Sequence, residues 1–224
     1  MSTLDELNLR QSTLVVLLAD HGESLGEHDY VGHGRHLYQN IIRVPLIFRL
    51  PGVTRPGKVI QEDVSLLDVT PTILGLTVDR GKQKLDMPLP MDGRNLAAAL
   101  DGGAGPDEQT VRYVTFSGKK GLLPRVLTTW LATRWLMRSL PLKMGQTTGD
   151  RKVIWTPGDN RLEIFDISRD PLELKPSTPD RKTPVYKAET ARLERWFKST
   201  AGEEGENQMT ERDIEILKSL GYLH

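Results

Sequence analysis

The sequence has 224 residues, and its 30 lysines and arginines balance 30 aspartates and glutamates, so the formal net charge is zero. This balance gives no electrostatic reason to expect binding to nucleic acid or to an anionic membrane surface. The absence of cysteine excludes disulfides, thiolate metal ligands and a cysteine nucleophile within these residues. No signal peptide or membrane-spanning run is found in the sequence, so the localisation stays unknown.

The first half of the chain has the pattern of an α/β fold. The continuous apolar run LVVLLA, residues 14–19, predicts a strand buried on both faces of a parallel sheet. The other predicted elements are the end of a helix at residues 3–10, a strand at 44–49, a helix at 64–76 that Pro71 interrupts or restarts, a loop at 77–94 and a short helix at 95–102.

The second half changes character and predicts a small antiparallel sheet followed by helices. Four short stretches rich in aromatic and β-branched residues predict the strands: VRYVTF, TTWLATRW, RKVIWTP and RLEIFDI. Residues 185–199 have the apolar spacing of an amphipathic helix, and residues 210–224 predict a second one after a polar linker. We therefore divide the chain into an α/β part, residues 1–110, and a small α+β subdomain, residues 111–224.

Four of the five histidines lie between His21 and His36, in the loop that follows LVVLLA. Ligand sites of α/β folds lie at the carboxyl ends of strands, where Asp20 and His21 leave this one and Gly22 permits a sharp turn. A carboxylate and an imidazole suit Zn²⁺ or Mn²⁺ or, with more oxygen ligands, Ca²⁺. Asp-His-Gly alone is more often a turn than a metal site, and two ligands leave a shell incomplete.

The stretch LVVLLADHGESLGEHDYVGHG, followed by LYQNIIRVPLIFRLPG, resembles the sulfatase family of the alkaline-phosphatase-like superfamily. Tyr38, residues 43–47 and residues 51–52 match the family pattern, whereas Gln39 and Asn40 replace its usual acidic pair. Further family-like segments follow in order, so that the resemblance spans residues 13–223: VSLLDVTPTILGL, MDGRNLAAAL, LEIFDISRDPLE and LKSLGYL.

This resemblance implies the fold and the chemistry of a metal-dependent hydrolase that acts on sulfate esters of small molecules or glycans. The fold would be the C-terminal part of an alkaline-phosphatase-like α/β catalytic domain, followed by the small antiparallel sheet with C-terminal helices. Asp20 and His21 would bind one divalent metal ion, which is calcium by resemblance, with zinc or manganese also open. His33 would contact the transferred sulfate. Family members are often periplasmic or secreted.

The family's nucleophile has no counterpart in these residues. The early Asp-Asp metal segment is not found. The one literal match to the Cys/Ser-x-Pro/Ala-x-Arg motif that yields formylglycine is STPDR, residues 177–181, and it lies in the C-terminal half, where the family does not place its nucleophile. We therefore expect a C-terminal portion that is inactive alone, and a separate N-terminal half is a candidate partner.

Two alternatives stay open. Phosphoethanolamine transferases, zinc enzymes with a threonine nucleophile, share Asp-His-Gly-Glu-Ser-Leu-Gly-Glu and a histidine spaced as His33 is from His21. The same alternative includes hydrolases of phosphodiesters or phosphonate esters. The other alternative is a non-catalytic remnant that binds a metal ion or a partner.

Overall fold

The computed structural model describes residues 2–77, 91–115 and 143–201. In these ranges the chain forms two short antiparallel strand pairs, one four-stranded sheet and several helices. The strands are β1 (Val15–Leu18), β2 (Ser24–Leu25), β3 (Val31–Gly32), β4 (Leu46–Arg49), β5 (Val111–Thr115), β6 (Lys143–Thr148), β7 (Arg151–Thr156) and β8 (Arg161–Asp166). The helices are α1 (Ser2–Glu6), α2 (Gln39–Ile42), α3 (Val69–Thr77), α4 (Ala97–Leu100) and α5 (Pro184–Ala201).

Strand β1 pairs with β4 in an antiparallel register that places Leu17 opposite Ile47. Leu17 is 52% exposed and Leu18 is 43% exposed. The prediction of a strand buried on both faces of a parallel sheet is therefore wrong for the described part of the chain. An uninterrupted apolar run indicates that both faces of a strand are apolar, but it does not encode the direction of the neighbouring strand.

The second half confirms the predicted small antiparallel sheet, in the order β5-β6-β7-β8. Helix α5, which confirms the helix predicted at 185–199, packs its Leu193 against this sheet. Their shared core consists of Met144, Val153, Leu162, Tyr186 and Leu193. Among the described residues, no helix combines the length and the apolar composition needed to cross a bilayer. The predicted strand TTWLATRW and the predicted helix at 210–224 lie outside those residues.

Two of the family-like segments meet around the buried carboxylate of Asp68. This carboxylate accepts hydrogen bonds from the Arg94 backbone N at 2.6 Å, from Arg94 Nη2 at 2.9 Å and from the Ser65 backbone N at 3.0 Å. Thr72 Oγ1 donates to the Asp68 carbonyl and accepts from Leu96 N, which ties α3 to the segment before α4. These polar residues therefore stabilise the fold.

The segment before α2 attaches the histidine-rich loop to the four-stranded sheet. Leu37 and Tyr38 are buried against Ile154 and Phe165 of the sheet. The Tyr38 hydroxyl donates to Glu163 Oε1 at 3.2 Å, and burial is the main cause that raises the pKa of Tyr38 to about 12. These contacts join residues on both sides of position 110. The division of the chain into two parts at this position stays a prediction.

Candidate functional site

The turn after β1 is built around Gly22. Its backbone N donates to the Ile41 carbonyl at 2.6 Å, so the turn is attached to α2. A Cβ atom at this position would lie 2.1 Å from the carbonyl oxygen of Asn40, which is closer than any side chain could approach. The turn therefore needs glycine, and the glycine fixes where Asp20 and His21 leave the strand.

The hairpin of β2 and β3 brings His33 back to His21. Ser24 lies opposite Gly32 in the hairpin register, and Gly32 adopts a φ of +115° that favours glycine. The Tyr30 hydroxyl donates to the His33 carbonyl at 2.6 Å and holds the end of the hairpin. The hairpin thus brings together two histidines that are twelve residues apart in the sequence.

The rings of His21 and His33 stack with their centroids 4.1 Å apart and their planes 27° apart. Nδ1 of His21 lies 2.8 Å from the Gly22 carbonyl oxygen, and Nδ1 of His33 lies 2.9 Å from Glu23 Oε2. Carbonyl and carboxylate oxygens only accept hydrogen bonds, so each Nδ1 carries a hydrogen. In the neutral rings, each Nε2 therefore has a lone pair that can bind a metal ion.

The two predicted metal ligands lie side by side at the edge of the protein. Asp20 Oδ1 accepts from the backbone N of His21 at 3.0 Å, and Asp20 Oδ2 lies 3.8 Å from His21 Nε2. A carboxylate oxygen and an imidazole nitrogen at this separation fit the donor types of a divalent metal site.

Sequence reasoning missed Glu23. One ligand atom each from His21, Glu23 and His33 lie within 4.8 Å of one another. Taken alone, Glu23 has the character of a solvated surface charge. No local pattern distinguishes Glu23, because its contact with His33 is made across the hairpin of β2 and β3.

The other two histidines of the cluster, His28 and His36, pack against neighbouring side chains. His28 stacks on Tyr38 with a centroid distance of 3.7 Å. His36 Nδ1 accepts from Lys143 Nζ at 3.1 Å. Burial, and then the charge of Lys143, lowers the pKa of His36 to about 4, so its ring is neutral at neutral pH. The histidine cluster therefore divides into a stacked pair beside the turn after β1, His21 and His33, and a pair that packs against Tyr38.

Comparison with known proteins identifies the family of this chain. The model of the Sulfatase family matches residues 1–79. Arylsulfatase H of Canis lupus familiaris is 30% identical over 202 residues, which cover 81% of this chain and 35% of the relative. The chain belongs to the sulfatase family. This sulfatase-family chain spans about a third of the length of the curated relatives it matches.

Solved structures confirm the predicted alkaline-phosphatase-like fold class. A 2-O GAG sulfatase superposes with a TM-score of 0.66 at 23% identity, over 91% of this chain and 40% of its own. A protein solved in complex with its substrate D-glucosamine-2-N,6-O-disulfate superposes with a TM-score of 0.58 at 22% identity, over 92% of this chain and 37% of its own. These alignments leave out less than a tenth of the chain, so they include most of the small antiparallel sheet and helix α5.

Proposed function

We propose that this sulfatase-family chain supplies the metal-ligand and sulfate-contacting part of a hydrolase of sulfate esters. The observation that carries the proposal is the stacked pair of His21 and His33 beside the carboxylate of Asp20. The names of the relatives support the reaction class, and the sulfated glucosamine bound by one structural neighbour supports a sulfated sugar or a small sulfate ester as the substrate.

In this proposal, Asp20 and His21 bind one divalent metal ion. Their donor atoms fit such an ion, because the Gly22 carbonyl holds Nδ1 of His21 and leaves Nε2 for a ligand. Calcium, zinc and manganese are all compatible with a carboxylate beside an imidazole, provided that other residues complete the shell. When bound, the ion would act as a Lewis acid toward a sulfate oxygen.

His33 is the proposed contact to the oxygens of the sulfate. Glu23 accepts the Nδ1 hydrogen of His33 and fixes the orientation of the ring, so Nε2 faces away from this carboxylate. In its imidazolium form, the ring would donate from Nε2 to a sulfate oxygen and stabilise the negative charge that develops there. The stacking of this ring on that of His21 supports a contact of the donor with a sulfate oxygen beside the proposed metal ion.

We propose further that these residues alone give no turnover, because the attacking group must come from elsewhere. Removing the nucleophile of a covalent hydrolase lowers the rate by about 10⁶-fold. The one match to the formylglycine precursor pattern, residues 177–181, lies in the C-terminal half, and its Ser177 is paired through the backbone with Ile164 of β8. We therefore assign no nucleophile to the sequence. A polypeptide that carries the motif, in the same or another chain, would complete the site.

The test joins the chain to the formylglycine-bearing portion of an active relative and measures hydrolysis of an aryl sulfate. We expect turnover by the joined protein, no turnover by the 224-residue chain, and loss of turnover in Asp20→Asn and His33→Ala. Asp29→Asn and His28→Asn are matched controls in the same loop; both positions have positive φ, which asparagine tolerates.

Three outcomes would contradict the proposal. Metal-dependent turnover by the chain alone would show that no outside nucleophile is needed. Turnover that survives Asp20→Asn and His33→Ala would remove their proposed roles. Faster hydrolysis of an aryl phosphate diester or a phosphonate ester than of the aryl sulfate would favour the phosphoryl-group alternative.

A further inference from the structure

The histidine-rich loop gathers a second set of candidate metal ligands, which shares His21 with the Asp20–His21 pair. We propose that His21, Glu23 and His33 form a binding site for a zinc-class transition-metal ion in the chain as it stands. One donor atom of each residue lies within 4.8 Å of the other two. Small side-chain rotations would bring these atoms to the separations of about 3.4 Å that one tetrahedral Zn²⁺ ion requires. Two imidazoles and one carboxylate are a donor set that Zn²⁺ prefers, and calcium prefers oxygen ligands.

The contact between His33 and Glu23 shows how an ion would enter. Nδ1 of His33 and Oε2 of Glu23 are 2.9 Å apart and share one hydrogen. With the hydrogen moved to Nε2, both atoms have lone pairs that face the same point, and a Zn²⁺ ion can take the place of the hydrogen. The ring of His21, stacked on that of His33, supplies the third ligand.

The backbone already holds these three side chains together. Ser24 is buried, and its Oγ donates to the Glu27 carbonyl at 2.9 Å and accepts from Asn40 Nδ2 at 3.0 Å. The hydrogen bond from Tyr30 to the His33 carbonyl holds the other end of the hairpin. Because the donors are gathered before any ion binds, little conformational entropy is lost on binding.

The site is open to solvent. The side chain of His33 is 50% exposed and that of Glu23 is 46% exposed, so an ion can reach the donors without unfolding the loop. A fourth position on the ion would stay open to water, as in three-ligand zinc sites. A zinc ion at this site would bind His33 and would therefore compete with a sulfate ester for this side chain. This consequence rests on the proposed function, whereas the site itself does not.

The test is a calorimetric titration of the 224-residue chain with Zn²⁺ and, separately, with Ca²⁺. We expect one Zn²⁺ per chain and weaker binding of Ca²⁺. In Glu23→Gln and in His33→Ala the affinity for Zn²⁺ should fall by about 10-fold or more. Asp20→Asn should lower the affinity less than Glu23→Gln does, because Asp20 is not one of the three proposed ligands, although its carboxylate lies 3.8 Å from His21 Nε2. Glu6→Gln and His28→Asn are the matched controls.

A second measurement uses only the wild-type chain, so it does not depend on whether the variants fold. Ring signals of His21 and His33 in the NMR spectrum of the wild-type chain should shift on addition of one equivalent of Zn²⁺, and those of His28 should not. Wild-type affinity in both Glu23→Gln and His33→Ala, or unshifted His33 signals, would overturn the site. So would a loss of affinity in Asp20→Asn that is larger than the loss in Glu23→Gln. No turnover is measured, so these results stand apart from a failure of the proposed hydrolase.

Discussion

A buried ion pair between Lys152 and Glu173 joins three separate segments of the protein. Lys152 lies on β7 with no exposed side-chain surface, and its Nζ is 2.5 Å from Glu173 Oε1 in an alignment that is poor for a hydrogen bond. The other oxygen, Glu173 Oε2, accepts the backbone N–H of Gln39 at the start of α2. We predict that Glu173→Gln destabilises the protein strongly.

The magnitude follows from the burial of both partners. Removing one member of a buried ion pair costs about 3–5 kcal/mol, because the remaining charge is left uncompensated away from water. A glutamine oxygen can still accept the Gln39 N–H, so the loss should come from Lys152 alone. Lys152 can escape part of this cost by releasing its proton, and we therefore expect about 3 kcal/mol, the lower end of the range.

The assay is urea unfolding followed by circular dichroism near pH 7. The matched control is Glu194→Gln, whose partner Lys198 is 3.4 Å away on the exposed surface of α5. This exposed pair should contribute no more than about 0.5 kcal/mol. The double variant Lys152→Met with Glu173→Gln should recover much of the loss, since no lone charge remains. A loss in Glu173→Gln as small as in the control would refute the reasoning.

The same pair predicts a pH dependence of stability. Burial lowers the pKa of Lys152 from 10.5 to about 8, although the charge of Glu173 acts in the opposite direction. Between these two values the unfolded chain binds more protons than the folded one, so the free energy of unfolding contributed by Lys152 rises with pH. The difference in stability between the wild type and Lys152→Met should therefore shift in favour of the wild type across this interval. A constant difference would contradict the prediction.

Two further predictions concern backbone contacts and a buried carboxylate. Gly22→Ala should lower stability by about 1–3 kcal/mol in thermal unfolding, because its Cβ would meet the backbone oxygen of Asn40 at 2.1 Å; Gly158→Ala, where that space is open, is the control, and equal losses would contradict the prediction. Asp68→Asn should cost about 3 kcal/mol in urea unfolding, because it leaves the half-buried guanidinium of Arg94 without its charged partner, and unchanged stability would disprove this role.

Three of the four strands in the C-terminal sheet were predictable from the sequence, and β6 was not. The segment KMGQTT has one large apolar residue, Met144, and a central glycine, so it lacks the local pattern of a strand. Gly145 lies opposite Tyr113 of β5, and a Cβ there would approach the tyrosine ring to 2.2 Å. Position 145 therefore needs glycine because the ring of Tyr113 fills the space of a side chain. This contact comes from a distant segment, so the local sequence does not indicate it.

The candidate site was predicted in part. Asp20, His21 and His33 could be named from motif and spacing, and their roles stay predictions. Glu23 could not be assigned, because its contact with His33 spans ten residues and depends on the turn between β2 and β3. The sequence also could not predict that His28 lies apart from the site. His28 stacks on the ring of Tyr38, and Tyr38 is held in place by its packing against the sheet.

The sequence by itself determined the family, most of the longer helices and strands and the chemical types of the candidate ligands, because motifs and apolar periodicity are local properties of the chain. The tertiary structure alone decided that β1 runs antiparallel to β4, that Asp68 binds Arg94 and that Glu23 meets His33. Each of these contacts joins residues between ten and more than thirty positions apart in the chain. Such contacts are set by turn geometry and by packing, and local side-chain chemistry does not specify them.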